Sequence, residues 1–168
     1  LLRLDANQFF DLDSLATFLN KIKNTNIQYI EEPFKNPTAE IYEKFKSIYN
    51  IKIAIDESIY YNDNYKQWIK NGLIDYVIIK PSIYGSFSSF FKLVDFLHLY
   101  NVNIVLSSSL ESSIGNMATL HLASIINNNL DHGLNIFSFY NNHRILPIYN
   151  KNSEFVEIKK CKGLGLTL

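Results

Sequence analysis

Three carboxylates and a lysine recur along this chain at nearly constant spacing, each at the end of a short apolar run. Asp5 closes Leu-Leu-Arg-Leu-Asp, Glu31 follows Ile27–Ile30, Asp56 follows Ile51–Ile55 and Lys80 follows Tyr76–Ile79, at intervals of 26, 25 and 24 residues. Such an interval accommodates one strand, one return helix and two short loops. If the strands are parallel neighbours, the four polar groups collect at one end of the sheet. Three hard oxygen donors beside one ammonium describe a divalent-metal site that polarises a substrate.

The elements that must carry these groups alternate strand and helix. Strands are expected over Leu1–Asp5, Ile27–Ile30, Ile51–Ile55, Asp75–Ile79 and Val102–Leu106, with a further one over Leu134–Phe139. Helices are expected over Asp11–Asn24, with Asp11, Asp13 or Ser14 as N-cap, and over Pro37–Tyr49, Asn64–Lys70, Phe87–Tyr100 and Ser112–Asn128. Their inward stripes read as Leu15, Phe18, Leu19 and Ile22, then Ile41, Phe45 and Ile48, then Phe90, Leu93, Val94 and Leu97. Beyond Tyr140 the text supports only a hairpin, Arg144–Tyr149 with Phe155–Lys159, and a Gly163-Leu-Gly165-Leu tail. The strands are continuous apolar runs, so the sheet is expected to be parallel and covered by helices. Part of an eight-stranded (β/α) barrel and an open doubly wound sheet both fit. A polar residue at the end of each successive strand favours the barrel, because barrel enzymes draw their site from several strand ends, whereas an open sheet uses one switch point.

Composition removes several classes. With 168 residues, 47% hydrophobic and 19% charged, the chain is long and apolar enough for a folded domain core. Basic and acidic residues number 16 each, so charge makes no case for nucleic acid or an anionic membrane as partner. The single cysteine, Cys161, excludes an internal disulfide and a Cys-rich zinc site, and reads as a structural thiol in a reducing compartment. No apolar stretch approaches the roughly 20 residues of a membrane span. No signal pattern precedes the first strand, and a first residue of Leu1 rather than Met places the expected natural start upstream. Heavy use of Asn, Ile, Lys and Tyr reads as AT-rich coding. His98 and His121 fall within apolar helices and are expected to be partly packed, His132 and His143 lie in polar loops, and no pair has the i, i+4 zinc spacing.

The local motifs resemble the barrel domain of the enolase superfamily, most nearly its o-succinylbenzoate synthase branch. The resemblance rests on Leu2-Arg-Leu-Asp-Ala-Asn7, Glu31-Glu-Pro33, Asp56-Glu-Ser58, Lys80-Pro-Ser82 with Gly85-Ser86, and Ser107 to Gly115. It covers about Leu1 to Gly133, and the closing Gly163-Leu-Gly165-Leu is similar to the family's last segment. It implies an α/β fold: a partial (β/α) barrel running from the third barrel strand to the C-terminus over residues 1–168. Asp5, Glu31 and Asp56 would be ligands of Mg2+, with Mn2+ as a possible substitute. The metal would stabilise an enediolate formed next to a substrate carboxylate. Lys80 would be one of two lysines flanking the substrate, acting as acid or base or holding the enediolate by its charge. Ser107, Ser108, Ser109 and the Gly115 region would offer hydroxyls and N–H groups to the substrate near a helix N-terminus. Arg3, two residues before Asp5, either pairs with a metal-bound carboxylate or is a plain surface arginine. Asn7, Glu32, Glu57 and Glu111 would support these groups from behind, with Glu32 and Glu57 turned to the opposite side by strand alternation.

The implied reaction is a dehydration that forms o-succinylbenzoate from 2-succinyl-6-hydroxy-2,4-cyclohexadiene-1-carboxylate in menaquinone or phylloquinone biosynthesis, in bacterial cytoplasm or, alternatively, plastid stroma. The open alternatives are an epimerase or cycloisomerase of the same superfamily, and a non-catalytic fragment that needs a separate N-terminal half. Two departures from the family pattern motivate the last. No capping domain and no strand-borne Lys-x-Lys precede the Asp5 motif; Lys21-Ile-Lys23 lies in a helix and Lys160-Cys-Lys162 in the tail. The segment alone is therefore expected to have open sheet edges and little activity.

Overall fold

Apolar runs rich in Ile, Val and Tyr become strands, and the amphipathic stretches between them become helices. In this computed structural model, residues 1–126, 128–134, 156, 158 and 162–165 are described. They run β1 (Leu2–Asp5), α1 (Leu12–Lys21), β2 (Ile27–Glu31), α2 (Ala39–Ile48), β3 (Ile53–Ile55), α3 (Ser58–Tyr61), α4 (Tyr65–Lys70), β4 (Tyr76–Ile79), α5 (Pro81–Tyr84), α6 (Phe87–Leu99), β5 (Asn103–Leu106) and α7 (Ser113–Ile125). The five strands form one sheet in the order β1-β2-β3-β4-β5, and the pairs β1/β2, β2/β3 and β3/β4 are parallel. Strand order decides between the two candidate architectures. A doubly wound sheet reverses direction at its switch point, whereas successive βα units laid down in one direction belong to a barrel. The fold is that of a partial (β/α) barrel. No described helix is long and apolar enough to cross a membrane.

Packing divides the chain into two compact units, Leu1–Ile78 with Leu93–Asn103, and Ile79–Lys92 with Ile104–Leu168. In the first unit α1 starts at Asp11, whose carboxylate accepts from Ser14 N–H at 2.8 Å while Asp11 N–H donates to Ser14 Oγ at 3.1 Å. This reciprocal cap satisfies two backbone donors. The helix buries Leu15 and Leu19. An edge-to-face aromatic cluster forms the centre: Phe34 meets Tyr42 at 5.6 Å and Phe45 at 5.7 Å, and Tyr42 meets Trp68 at 5.1 Å. At the lower end of the sheet Asp75 accepts from Ile53 N–H and from Lys46 Nζ, both at 2.9 Å, tying β3, β4 and α2 together.

That cluster corrects the expected face of α2. Phe45 is buried as expected and Tyr42 joins it, whereas Ile48 is 58% exposed; the Tyr42 ring against Phe34 and Trp68 takes the inward place expected of Ile41 and Ile48. His98, expected to be partly packed, is exposed, because the buried residues of α6 are Phe90, Leu93, Val94 and Leu97. The short helices α3 and α5 carry no periodic signal and were not anticipated.

In the second unit Ser112 caps α7, accepting from Gly115 N–H at 3.4 Å, and α7 buries Met117, Leu120, Leu122 and Ala123. Gly133 lies beside β5 in a parallel bridge to Ser107. Its N–H donates to Leu106 O at 2.8 Å, and its carbonyl accepts from Ser108 N–H at 2.9 Å. His132 Nδ1 accepts from Leu106 N–H at 3.0 Å. The expected strand Leu134–Phe139 begins where this bridge ends, and residues 135–139 lie outside the described residues. So do the hairpin 144–149 with 155–159, apart from 156 and 158, and also His143 and Cys161.

Two stability measurements test this packing. The Ser14 hydrogen bonds hold the Asp11 carboxyl below its ordinary value of 3.8. The cap therefore contributes fully above that value and loses its contribution as pH falls through the lower folded value. Thermal melts of Asp11→Ala are expected to show a lower Tm at neutral pH, with the gap to the parent closing below pH 3.8. Tyr42 is 0% exposed and its hydroxyl has no hydrogen-bond partner among the described residues. Tyr42→Phe removes that buried group, and urea unfolding is expected to show a gain of about 1 kcal/mol.

Candidate active site

The upper ends of β1, β2 and β3 present the three carboxylates. Asp5 pairs with Glu31 in the β1/β2 register, and Glu31 pairs with Ala54 in β2/β3. Asp56 lies two residues beyond Ala54, at the position of the same parity. Asp5 is exposed, Glu31 half-buried and Asp56 buried. The N–H of Asn7 donates to Asp5 Oδ1 at 2.9 Å. An apolar cleft of about 260 Å³ opens beside Asp5, lined by Leu4, Ala6, Phe9, Phe10, Phe18 and Ile30. Among the described residues no group of three or more His, Cys, Asp or Glu side chains is gathered closely enough to hold a metal ion in the conformation seen. The donor set nevertheless suits one kind of ion: three carboxylates with neither His nor Cys fit a hard cation such as Mg2+.

Backbone strain concentrates at the same strand ends. Asn7 (φ 45°), Gln8 (φ 57°) and Glu32 (φ 40°) occupy the left-handed region without being glycine, a conformation that persists only where surrounding contacts enforce it. Here the contacts are Ala6 N–H to Glu31 O at 2.9 Å, Gln8 N–H to Glu32 O at 2.7 Å and Glu32 N–H to Ala54 O at 3.0 Å. Glu32 is 0% exposed. Burial pushes its carboxyl above the ordinary range, opposed by hydrogen bonds from Ser58 and Asp56. Glu57 is the residue before α3, and its carbonyl accepts from Tyr60 N–H at 2.9 Å.

Arg3 donates from Nε to Gln28 Oε1 at 2.8 Å, and its guanidinium lies 5.4 Å from the Tyr29 ring centroid. Tyr29 in turn packs 4.7 Å from the Tyr76 ring, and burial pushes its hydroxyl up to about 12. Arg3 thus braces the sheet face below the carboxylates.

In the second unit Lys80 follows β4 as the residue before α5, with Pro81 in the first helical turn. Its carbonyl accepts from Ile83 N–H at 2.9 Å and Tyr84 N–H at 3.0 Å. Gly85, at φ 115°, ends that turn in a conformation that side chains avoid. Ser82 and Ser109 share a short hydroxyl–hydroxyl bond. Both the N–H and the hydroxyl of Ser109 donate to Glu111 Oε2, and Thr119 Oγ1 donates to Glu111 Oε1 at 3.1 Å. Ser107 donates its N–H to Ile79 O at 2.9 Å. Ser108 is engaged differently: its hydroxyl accepts from Asn116 Nδ2 at 2.7 Å and donates to Leu134 O at 3.4 Å. These bonds brace the loop against α7.

Four contributors carried no assigned role in the sequence: Gln8, Ser58, Ser82 and Asn116. Ser58 and Ser82 stood inside noted motifs, and Asn116 interrupts the apolar stripe of α7, which was a usable signal for a buried polar strut. Gln8 had none.

Sheet order and acids at successive strand ends fit an enolase-type barrel. The whole chain, residues 1–168, matches the family described as Enolase C-terminal domain-like, and it belongs to that family. It is 31% identical over 165 residues to o-succinylbenzoate synthase of Haemophilus influenzae, an alignment covering 92% of this chain and 49% of that protein. The chain thus spans about half the length of that curated relative. Among solved structures it is similar to N-succinyl Arg/Lys racemase of Bacillus cereus, with TM-score 0.85 and 23% identity over 99% of this chain and 45% of that one. It is also similar to dipeptide epimerase of Enterococcus faecalis, complexed with Mg and the dipeptide L-Leu-L-Tyr, with TM-score 0.69 and 25% identity over 79% of this chain and 38% of that one. These relatives are bacterial, which lends no support to the plastid and phylloquinone alternative.

The Ser109 loop yields a test. A Cβ on Gly115 would lie 2.9 Å from both Cβ and Cγ of Glu111, too close to the root of that side chain to be relieved by rotating its tip. Gly115→Ala is expected to destabilise the protein by about 1–3 kcal/mol in denaturant unfolding. Faster amide exchange at Ser109 is expected with it.

Proposed function

We propose that this chain is the metal-binding barrel part of a Mg2+-dependent lyase that dehydrates 2-succinyl-6-hydroxy-2,4-cyclohexadiene-1-carboxylate to o-succinylbenzoate, a step of menaquinone biosynthesis. The observation that carries the reading is the register that pairs Asp5 with Glu31 and sets Asp56 at the same parity on the next strand. Asp5 and Glu31, paired on neighbouring strands, start about 4.8 Å apart, and Asp56 stands two residues beyond Ala54 on the next strand, so side-chain reach and rotation bring the three to one ion. Asp5, Glu31 and Asp56 would hold Mg2+, or Mn2+ in its place, which would supply charge withdrawal from a substrate carboxylate and so acidify the adjacent C–H.

The chain's own groups do the rest. Lys80 supplies an ammonium at the end of β4, to move a proton or to hold negative charge on the substrate. Ser107 and Ser109 offer polar contacts to the succinyl arm, and Glu111 fixes the Ser109 loop. Arg3 sets the sheet face on which Asp5 and Glu31 stand. The Haemophilus relative supports this chemistry by its name and by its 31% identity. A second reading, epimerisation of a carboxylate substrate, is favoured by the likeness to the dipeptide epimerase complexed with Mg; it shares the proton removal next to a carboxylate but not the loss of water.

Calorimetric titration of the chain with Mg2+ is expected to show binding that vanishes in the triple variant Asp5→Asn, Glu31→Gln, Asp56→Asn. In the protein complete with its N-terminal half, Lys80→Ala is expected to lower turnover by about 10²–10⁴-fold and to leave Mg2+ affinity unchanged. Turnover is followed by the appearance of aromatic product absorbance. Undiminished Mg2+ binding by the triple variant sinks the metal assignment. Epimerisation of a dipeptide without any dehydration selects the second reading.

A further inference from the structure

The Glu32 side chain is fully buried, and every group that reaches its carboxylate is a donor. Oε1 accepts from Asp56 N–H and Ser58 N–H, both at 2.8 Å. Oε2 accepts from Ser58 Oγ at 2.8 Å and from Gln8 Nε2 at 3.3 Å. These four bonds join three chain segments. Gln8 belongs to the loop that follows Asp5, Glu32 itself follows Glu31, and Asp56 and Ser58 begin the turn after β3. The backbone repeats the connection, with Gln8 N–H on Glu32 O and Glu32 N–H on Ala54 O. One carboxylate therefore sets the relative placement of the peptide units that carry all three acids assigned to the metal.

We propose that Glu32 is a positioning residue for the metal site, holding the Asp5, Glu31 and Asp56 peptides in the arrangement from which their side chains meet one ion. The inference rests on the Mg2+ reading given above and adds to it a residue that coordinates nothing. The side-chain type follows from the partners. A carboxylate has acceptor sites for four donors, whereas a Gln amide presents one oxygen and an NH2 that cannot accept. Glu32→Gln keeps an oxygen for the two backbone N–H groups and turns a donor towards Gln8. Glu32→Ala leaves buried donors unanswered. Groups that orient ligands in this way typically affect metal affinity by about 10–100-fold.

The test titrates Mg2+ alone into the parent chain, Glu32→Gln, Glu32→Ala and Gln8→Ala, with far-UV circular dichroism confirming that each is folded at the temperature used. Affinity is expected to fall by about tenfold in Glu32→Gln and by up to about a hundredfold in Glu32→Ala, with a smaller loss in Gln8→Ala. Amide exchange at Asp56 and Ser58 is expected to accelerate in the same order. A purely structural Glu32 would lower Tm and leave the Mg2+ Kd of the folded variants unchanged. That result, with normal binding by the parent, overturns the inference and leaves the metal reading intact. If Glu32→Ala does not fold, unchanged affinity in both Glu32→Gln and Gln8→Ala overturns it equally. Absence of Mg2+ binding by the parent chain removes the proposed function, and this inference with it.

Discussion

The parallel register of β1, β2 and β3 is the constraint on which the site depends. Pairing Asp5 with Glu31 and Glu31 with Ala54 makes neighbours of residues that stand far apart along the chain. Because successive strand residues point to opposite faces, a slip of one residue in either pair would turn one acid away from the others. The apolar strand residues prevent such a slip: Ile30, Ile53 and Ile55 are buried, and a slip would exchange their face with that of the acids. The position of the carboxylates is thus secured by the hydrophobic core beneath the helices.

Each compact unit applies a related device. A buried or half-buried acid accepts backbone N–H groups of a loop at a strand end. Glu32 does so for Asp56 and Ser58, and Glu111 does so for Ser109. Such bonds are charge-assisted and shielded from water, so they hold loop geometry more tightly than neutral contacts would. Around Glu32, backbone bonds such as Gln8 N–H to Glu32 O and Glu32 N–H to Ala54 O keep Asn7, Gln8 and Glu32 at positive φ without glycine. At Gly115 glycine answers a shortage of space, since a side chain would collide with Glu111.

Much of this was legible along the chain. The order of strands and long helices follows from apolar periodicity, a property of residues within a few positions of one another. The choice of barrel over open sheet followed from polar residues recurring at strand ends, and Asp5, Glu31, Asp56 and Lys80 were visible for the same reason. What misled was local ambiguity. Tyr42 and Ile41 are adjacent, and only the rings of Phe34 and Trp68 decided which of them would face inward. His98 lies in an apolar helix yet on its exposed face. The helices α3 and α5 span four residues each, too few to show a period.

The hydrogen-bond partners of Glu32, Ser108 and Asn116 belonged to tertiary structure alone. Glu32 meets its partners 24 and 26 residues away, and Ser108 meets Asn116 across the turn into α7. The amino-acid sequence determined which groups could do chemistry and on which elements they would stand, because both depend on composition and short-range pattern. Which buried acid answers which backbone N–H was decided only once helices and strands had packed, since a hydrogen bond requires a separation near 3 Å that no spacing along an unfolded chain specifies.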